Sequence, residues 1–495
     1  MSRAFGHRVT RPAFMAAAIF LITLATRVPF VSRELWAWDS VLYARALEDG
    51  FHVDYLVAGQ RPHPPGYLLY VATSAAVRLL TGDSNDALVL VSIVASAFAS
   101  AALFLFARRF ASDRSAAIVA FGFGLSPLVW QYSEVAYPYT LLGLLSILVA
   151  ASFAYTRGRG AMAALVASAV FGAVAGFRMD LLLIFAPLWL CLVGRRRRRG
   201  RAAAAVSVSL GCLAWLVPTA ALSGGILSYL DALFRQTDFV RATYSVMAQG
   251  LVAFGTNVAT TLYAIGWGLG LFTLPVVVLA VANGLRAIRA RGVRLDEHAA
   301  VLLAWIVPAL ALYIVLHIGE WGYVLSILPG LYVVAAVAID RAAAVHTGAR
   351  RLALAAGVLV PAFVFVTSSA PFSAAAIARH DWELASRVAY VRQHYPAQST
   401  LLLAREDYLL VRYYLPEYRT WFHDPEPYRS TLRRKRAPRV NAIVVFTPGL
   451  QTTSADALRI RCAKDVELVY LAIEPGSVVE LQNDRYTIAE SPARR

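Results

Sequence analysis

The sequence QRPHPPGYLLY at residues 60–70 decides how this chain is threaded through a membrane. Its adjacent prolines and its glycine break any helix, and an apolar run begins directly after them. If residues 66–80 crossed the membrane completely, the next arginine cluster, RRFASDR, and every later one would lie outside. If the run instead lies along the outer interface or dips into it, all of these clusters are cytoplasmic. Because arginine-rich short loops stay in the cytoplasm, we favour the second arrangement, with a large first external loop at 32–85 that contains an interfacial helix.

Apolar runs of about 20 residues recur from residue 13 to residue 370, which is typical of a polytopic α-helical membrane protein. Hydrophobic residues make up 59% of the chain and charged residues only 16%, against roughly a quarter charged in soluble proteins. We predict about eleven transmembrane helices, and we expect 223–262 to form a second external loop with an interfacial helix. The predicted spans are 13–31, 86–107, 113–131, 138–156, 161–178, 181–194, 202–222, 264–285, 297–317, 322–340 and 350–369.

The net charge of +17 comes from basic clusters that fall between the apolar runs. Clusters such as TRGRG and GRRRRRGR follow the positive-inside pattern, which favours a role in membrane topology over nucleic-acid binding. We therefore expect a lipid bilayer as partner, no nucleic acid, and a multi-pass location in the cell (inner) membrane.

The character of the sequence changes after about residue 371. DWELASRVAYVRQHYP indicates an amphipathic helix, and STLLLA, NAIVVF and VVELQND indicate short strands separated by turns. The stretch is long enough to bury a small core. We predict that residues 371–495 form an extracytoplasmic α/β domain, separate from a membrane domain at 1–370.

Asp39 is the first candidate for chemistry, in the sequence LWAWDSVLYARAL. It lies just past the first span among Trp36, Trp38 and Tyr43, and a partly desolvated carboxylate of this kind has a raised pKa that suits a general base. The same pattern also fits an interfacial aromatic belt with one polar loop residue.

Glu134, in WQYSEVAYPYT, is a second candidate and precedes Tyr137. The topology places it on the same membrane face as Asp39, and ionisable residues at membrane depth are costly and usually functional. Alternatively, Glu134 stabilises the first turn of the following helix, where negative charge is favourable.

Further ionisable groups lie at other predicted outer turns. In GFRMDLL, Arg178 either pairs with Asp180 or binds an anionic group, because guanidinium groups suit phosphate. The recurrence of such groups at five outer turns indicates a site on this face. The others are Arg61 and His63 beside the two prolines, and Glu320 with Tyr323 in IGEWGYVLSILPGLY.

At these residues the chain resembles the glycosyltransferase C superfamily. It is most similar to the bacterial polyprenyl-phosphate-dependent group of protein O-mannosyltransferase-like and lipid A aminoarabinose transferase-like enzymes. The resemblance rests on WDSVLYA, HPPGYLLY, SPLVWQYSEVAYPYTL and GYVLSILPGLY, and it covers about residues 15–340. It implies that 1–370 is a catalytic membrane domain of this type.

The resemblance also implies roles for individual residues. Asp39 takes the place of the catalytic first-loop aspartate, although Ser40 stands where many relatives have a second acid. His63 stands where relatives often have a lysine that contacts the donor phosphate. Gly322 replaces the arginine that commonly precedes Tyr323 in the late motif. Arg61, Tyr137, Arg178 and Tyr323 are then candidates for binding the donor phosphate or substrate.

In metal-dependent relatives the second-loop acid and the first-loop aspartate share a cation, and other branches work without metal. The resemblance therefore implies Glu134, with Asp39, as ligands of a divalent cation such as Mg²⁺ or Mn²⁺ in the metal-dependent case.

The resulting hypothesis is an inverting glycosyltransferase that moves a sugar from a polyprenyl-phosphate donor to an extracytoplasmic lipid, glycan or protein acceptor. Two alternatives remain: a transporter or flippase of a lipid-linked sugar, and a catalytically inactive binding relative. Transporters usually show repeated halves and broken helices at the midplane, and this chain shows neither clearly.

Overall fold

The computed structural model describes residues 2–156, 158–194, 196–289, 297–422, 440–447, 467–474 and 477–482. They divide into two compact units. The first, the membrane unit, comprises residues 1–32 and 42–377. The second, the C-terminal unit, comprises residues 33–41 and 378–495. The segment 33–41, which carries Asp39, therefore groups with the C-terminal part of the chain and not with its sequence neighbours.

The membrane unit is built of helices. They are α1 (Ser2–Arg27), α2 (Trp38–Glu48, which begins in the C-terminal unit), α3 (Leu68–Thr81), α4 (Ser84–Ala107), α5 (Asp113–Gly124), α6 (Pro127–Glu134), α7 (Tyr139–Thr156), α8 (Ala161–Val174), α9 (Asp180–Val193), α10 (Arg198–Leu222), α11 (Ile226–Tyr244), α12 (Val246–Leu269), α13 (Thr273–Arg289), α14 (Glu297–Val315), α15 (Leu328–Val345), α16 (Ala349–Leu354) and α17 (Val360–Thr367).

The prediction of a helical membrane protein is confirmed, but the count of eleven crossings is not. Among the described residues, eight helices are long and apolar enough to cross a membrane, or nine if the bent pair α5 and α6 forms one span. Helices α8 and α9, where two crossings were predicted, have 14 residues each, fewer than the about 20 that a crossing normally takes.

The stretch 223–262 was predicted to be a second external loop with an interfacial helix, but a candidate membrane span, Val246–Gly284, covers its second half. The stretch is helical almost throughout, because α11 and α12 occupy it and α12 continues to Leu269. Gly224 and Gly225, at φ 81° and 103°, form the turn between α10 and α11, and Gly250 interrupts the helical backbone inside α12 at φ 60°. In apolar surroundings a segment can satisfy its backbone groups only by internal hydrogen bonds, so helix persists despite the glycine content.

Local capping explains where the helices around the site begin. Asp83 accepts a hydrogen bond from the amide of Asp86 at the start of α4, and Ser126 does the same for the amide of Val129 at the start of α6. Pro127 occupies the first position of α6, where no amide hydrogen is needed. The helix axis bends by 52° between α5 and α6. This bend sets the direction of α6, which ends at Glu134.

The HPPG turn leads into a short helix, as its sequence indicated. The backbone of Tyr67 is left-handed at φ 52°, and α3 begins at the next residue. Gly66 has φ 114°, and a Cβ there would lie 2.8 Å from Val53, so the position needs glycine. With 14 residues, α3 is shorter than a full crossing, and its interfacial position stays a prediction.

The C-terminal unit contains a five-stranded sheet. Helix α18 (Ala374–His394), which begins in the membrane unit, leads to β1 (Thr400–Ala404), followed by α19 (Tyr408–Tyr414), β2 (Arg419–Phe422), β3 (Ala442–Val445), β4 (Glu467–Glu474) and β5 (Ser477–Gln482). The strand order is β2-β1-β3-β4-β5, with only β5 antiparallel to its neighbour. β1 and β3 are buried along their whole length, as expected for central parallel strands.

Candidate active site

Arg178 is a buried cation in the turn between α8 and α9, only 7% exposed. Its Nε donates to both carboxylate oxygens of Asp180 at 3.0 Å, so the pairing considered from the sequence is present. Burial by itself lowers the pKa of Arg178, but the Asp180 carboxylate and the surrounding tyrosines Tyr323, Tyr67 and Tyr139 together hold it well above its usual value.

Tyrosine rings surround this guanidinium. Its carbon lies 3.9 Å from the centroid of Tyr323 and 5.4 Å from that of Tyr139, which are cation–π distances. Tyr137 and Tyr132 extend the cluster, with ring centroids 5.1 Å and 5.0 Å from that of Tyr139. The structure therefore brings together three predicted residues, Arg178, Tyr137 and Tyr323, and adds two tyrosines that the sequence reasoning did not select.

One hydrogen bond and one close approach involve residues next to Tyr323 in the chain. The Tyr132 hydroxyl donates to Oε2 of Glu320 at 3.3 Å. A Cβ at Gly322 would lie 2.2 Å from Cδ2 of Tyr139, so the Tyr139 ring occupies the space of a side chain at 322.

His317 is a site residue that the sequence reasoning missed. Its ring stacks on Tyr244 with centroids 4.5 Å apart, and its centroid lies 6.0 Å from that of Tyr323. Burial, aided by the positive charge of Arg178, lowers the pKa of His317 to about 4, so the ring is neutral at pH 7. Its Nδ1 is shielded from solvent and has no hydrogen-bond partner in the described part of the chain. The sequence feature that could have identified His317 is its position as a lone histidine at the end of an apolar run.

Glu134 lies in a separate, fully enclosed cluster, with a relative exposure of 0%. Trp130 Nε1 donates to its Oε1 at 3.1 Å, and the Arg27 guanidinium lies 4.9 Å from the Trp130 ring centroid and attracts the carboxylate. Arg27 was also missed, although a cation near the end of an apolar run normally has a buried partner.

A metal centre finds little support in this arrangement. Within the described ranges, no group of three or more His, Cys, Asp or Glu side chains could hold an ion. The nearby Arg27 cation would also repel a divalent ion at Glu134. The residues around Glu134 therefore do not fit the implied cation site.

The first-loop candidates have different surroundings. The Arg61 guanidinium donates to the carbonyl of Asp49 at 2.7 Å, and its backbone pairs with His52, so it holds the loop together. His63 lies with its ring centroid 5.2 Å from that of Tyr67, and its Nδ1 donates to the carbonyl of Pro64 at 2.6 Å. Tyr67 interacts electrostatically with Arg178, which relates the HPPG turn to the Arg178 cluster.

Asp39 lies in the first turn of α2 and is half-buried. Hydrogen bonds hold the segment before it in the C-terminal unit: the amide of Leu35 donates to the Tyr414 hydroxyl at 2.8 Å, and His380 Nε2 donates to the carbonyl of Leu35 at 3.2 Å. Ser40, where many relatives have a second acid, is fully buried, and its hydroxyl accepts a hydrogen bond from the amide of Ala37.

No family model matches the sequence, and no curated protein matches it in a sequence comparison. Solved structures, however, share its fold. The crystal structure of ArnT from Cupriavidus metallidurans bound to undecaprenyl phosphate has a TM-score of 0.53 at 14% identity, covering 84% of this chain and 86% of that chain. The Archaeoglobus fulgidus oligosaccharyltransferase in complex with Zn and sulfate has a TM-score of 0.50 at 14% identity, covering 82% of this chain. The present chain spans 62% of that protein, less than two-thirds of its length.

The chain has the glycosyltransferase C fold. The resemblance inferred from the sequence is thus confirmed at the level of the fold. Within this glycosyltransferase C fold, the predicted residues fall into distinct groups: Arg178, Tyr137 and Tyr323 in one cluster, His63 beside Tyr67, Glu134 beside Arg27, and Asp39 in the C-terminal unit.

Proposed function

We propose that this protein is an inverting glycosyltransferase that moves a sugar from a polyprenyl-phosphate donor to an extracytoplasmic acceptor. The observation that carries the proposal is the buried Arg178 guanidinium, whose Nε pairs with Asp180 and whose carbon lies 3.9 Å from the centroid of Tyr323. A buried guanidinium is suited to a phosphate, because its fork can donate two parallel hydrogen bonds to two oxygens.

The similar folds support a lipid-phosphate donor. The ArnT structure contains undecaprenyl phosphate, and the archaeal oligosaccharyltransferase structure contains sulfate, another tetrahedral oxyanion. A donor anchored in the bilayer also agrees with a phosphate site in a helical membrane unit. There the polyprenyl tail stays in lipid while the head group reaches the cation.

Asp39 serves as the general base in this proposal. Its carboxylate accepts the proton of an acceptor hydroxyl, whose oxygen attacks the anomeric carbon of the sugar. The bond from that carbon to the phosphate oxygen breaks, and its electron pair leaves with the carrier phosphate. Attack opposite the leaving group inverts the anomeric configuration.

Arg178 stabilises the charge that develops on the leaving phosphate. His317 and His63 are further ligands for its oxygens, and an anion beside His317 opposes the effect of Arg178 on the pKa of the ring. No step passes through a metal ion, because the surroundings of Glu134 do not fit one.

The general base is tested by Asp39→Asn, which keeps the shape of the side chain and removes its basicity. We expect transfer to be abolished while the purified protein still folds and binds donor. Full transfer by this variant would remove Asp39 from the mechanism.

The overall function is tested by mass spectrometry of glycans and glycolipids in a deletion strain complemented with wild-type protein, Arg178→Gln or Arg241→Gln. Arg241 is an exposed arginine on α11 and serves as a matched control. We expect one glycan or glycolipid to lose a sugar in the deletion strain and with Arg178→Gln only. Transfer by purified protein in detergent, where no sidedness exists, separates an enzyme from a flippase.

A further inference from the structure

Three aromatic rings meet at one edge of the C-terminal sheet. Phe422 is the last residue of β2, and Tyr408 begins α19, four positions after the end of β1. Trp38, from the segment 33–41, completes the group. The ring centroids are 5.6 Å apart for Tyr408–Phe422, 6.0 Å for Trp38–Tyr408 and 6.2 Å for Trp38–Phe422. We call these three residues the aromatic platform.

The platform lies at the carboxyl edge of the sheet, beside β1 and β2. β1 and β2 are parallel, so their carboxyl ends lie at the same edge of the sheet, and ligands of such sheets bind outside that edge. Phe422 remains 41% exposed, and Trp38 and Tyr408 are half-buried. Large aromatic side chains left partly in water at such an edge indicate a binding surface.

Polar groups lie near the platform in the sequence, and one of them contacts it. The side chains of Arg405 and Glu406 follow β1 and are 44% and 70% exposed. Arg412 Nη1 donates to the Tyr408 hydroxyl at 3.4 Å. Partly exposed rings bordered by hydrogen-bonding groups are complementary to a sugar, whose ring has apolar C–H faces and a rim of hydroxyls.

We propose that the aromatic platform binds the acceptor and that this acceptor is a carbohydrate. The proposal rests on the function proposed above, and it adds the place and the chemical class of the acceptor. Trp38 immediately precedes Asp39 in the chain. A sugar stacked on the platform is therefore held by the same segment that carries the general base.

Two other acceptor classes fit the platform less well. A peptide that adds a strand to a sheet needs a long free edge, and β2, the edge strand beside β1, has four residues. An acyl chain needs a continuous apolar surface, whereas the residues that follow β1 are charged.

The test measures binding of methyl glycosides to the full-length protein in nanodiscs by saturation-transfer NMR, without donor. The proteins are wild type, Tyr408→Ala, Phe422→Ala and the control Trp382→Ala, which removes another partly exposed ring from the same unit. We expect at least one glycoside to bind wild type and Trp382→Ala equally. Its Kd should rise about tenfold, or about 1.4 kcal/mol, in Phe422→Ala and Tyr408→Ala.

The proposal is overturned if no glycoside binds wild type or if all four proteins bind glycosides alike. It is also overturned if a Ser/Thr peptide or a lipid binds at the platform while glycosides do not. These outcomes are distinguishable from a failure of the proposed function, because binding is measured without transfer. Protein that binds glycosides at the platform but transfers no sugar contradicts only the function. Protein that transfers sugar with an unchanged acceptor KM in Phe422→Ala contradicts only the platform.

Discussion

The guanidinium carbon of Arg178 lies 3.9 Å from the centroid of the Tyr323 ring. The late motif has Gly322 where an arginine commonly precedes the tyrosine, and the Tyr139 ring fills the space that a side chain there would occupy. A cation next to Tyr323 is nevertheless present, and it comes from the turn between α8 and α9. We infer that Arg178 supplies the charge that the motif itself lacks.

Replacing Arg178 tests this inference. We expect Arg178→Gln to lower kcat/KM for the lipid-phosphate donor by about 10²-fold or more, because a charge-stabilising donor is removed. Arg178→Lys keeps the pairing with Asp180 but cannot offer two parallel N–H groups, so its activity should fall between those of wild type and Arg178→Gln. Both are measured as transfer by purified protein, with Arg241→Gln as control. Wild-type kcat/KM in Arg178→Gln would contradict a role in donor binding.

Gly322 should tolerate no side chain. A Cβ there would lie 2.2 Å from Cδ2 of Tyr139, so Gly322→Ala must displace that ring. We expect a loss of stability of about 1–3 kcal/mol, typical of overpacking, seen as a lower Tm in detergent. Gly266→Ala on α12 is the control, since nothing lies within 4 Å of its Cβ position. Equal Tm values for the two variants would show that the Tyr139 packing is not tight.

His317 makes stability depend on pH in a defined direction. Its pKa is about 4 in the folded protein and near 6.5 when unfolded, so between these values the unfolded state binds more protons. The stability that its neutral form contributes is present above about pH 6.5 and is lost as the pH falls toward 4. We expect the Tm of wild type to fall more between pH 7 and pH 4.5 than the Tm of His317→Gln. Parallel curves for the two proteins would mean that His317 is protonated freely in the folded state.

Tyr414 should control the order of the segment that carries Asp39. Tyr414→Phe removes the hydroxyl that accepts a hydrogen bond from the amide of Leu35. An unsatisfied buried amide costs about 1–3 kcal/mol. We expect faster hydrogen exchange in residues 33–41 and a lower kcat, with an unchanged KM for the donor.

Tyr155→Phe is the control for Tyr414→Phe, because Tyr155 stacks with Arg109 through its ring and not its hydroxyl. If exchange in 33–41 does not change in Tyr414→Phe, this hydrogen bond does not hold the segment. If the KM for the donor rises while kcat falls, the Tyr414 hydroxyl affects donor binding as well as the segment that carries Asp39.

Features with a local cause could be predicted from the sequence. Apolar runs gave the helical membrane class because backbone groups in lipid must be satisfied within the segment. The break at HPPG and the start of α3 followed from proline and glycine geometry. The resemblance of four short motifs indicated the fold. The glycine-containing helix α12 was missed because intrinsic propensity is weaker than the demand of apolar surroundings for internal hydrogen bonds.

The arrangement of the candidate site was decided by the tertiary structure. The contact of Arg178 with Tyr323, the neutral state of His317 and the grouping of 33–41 with the C-terminal sheet all join residues far apart in the chain. Such contacts depend on how helices and strands pack in register, and a sequence pattern reports only which face of each element is apolar. The sequence alone therefore determined that this chain folds as membrane helices with ionisable residues at the turns between them. Only packing decided which of those charges meet, because burial and proximity, which set the charge state of a group, are properties of the whole fold.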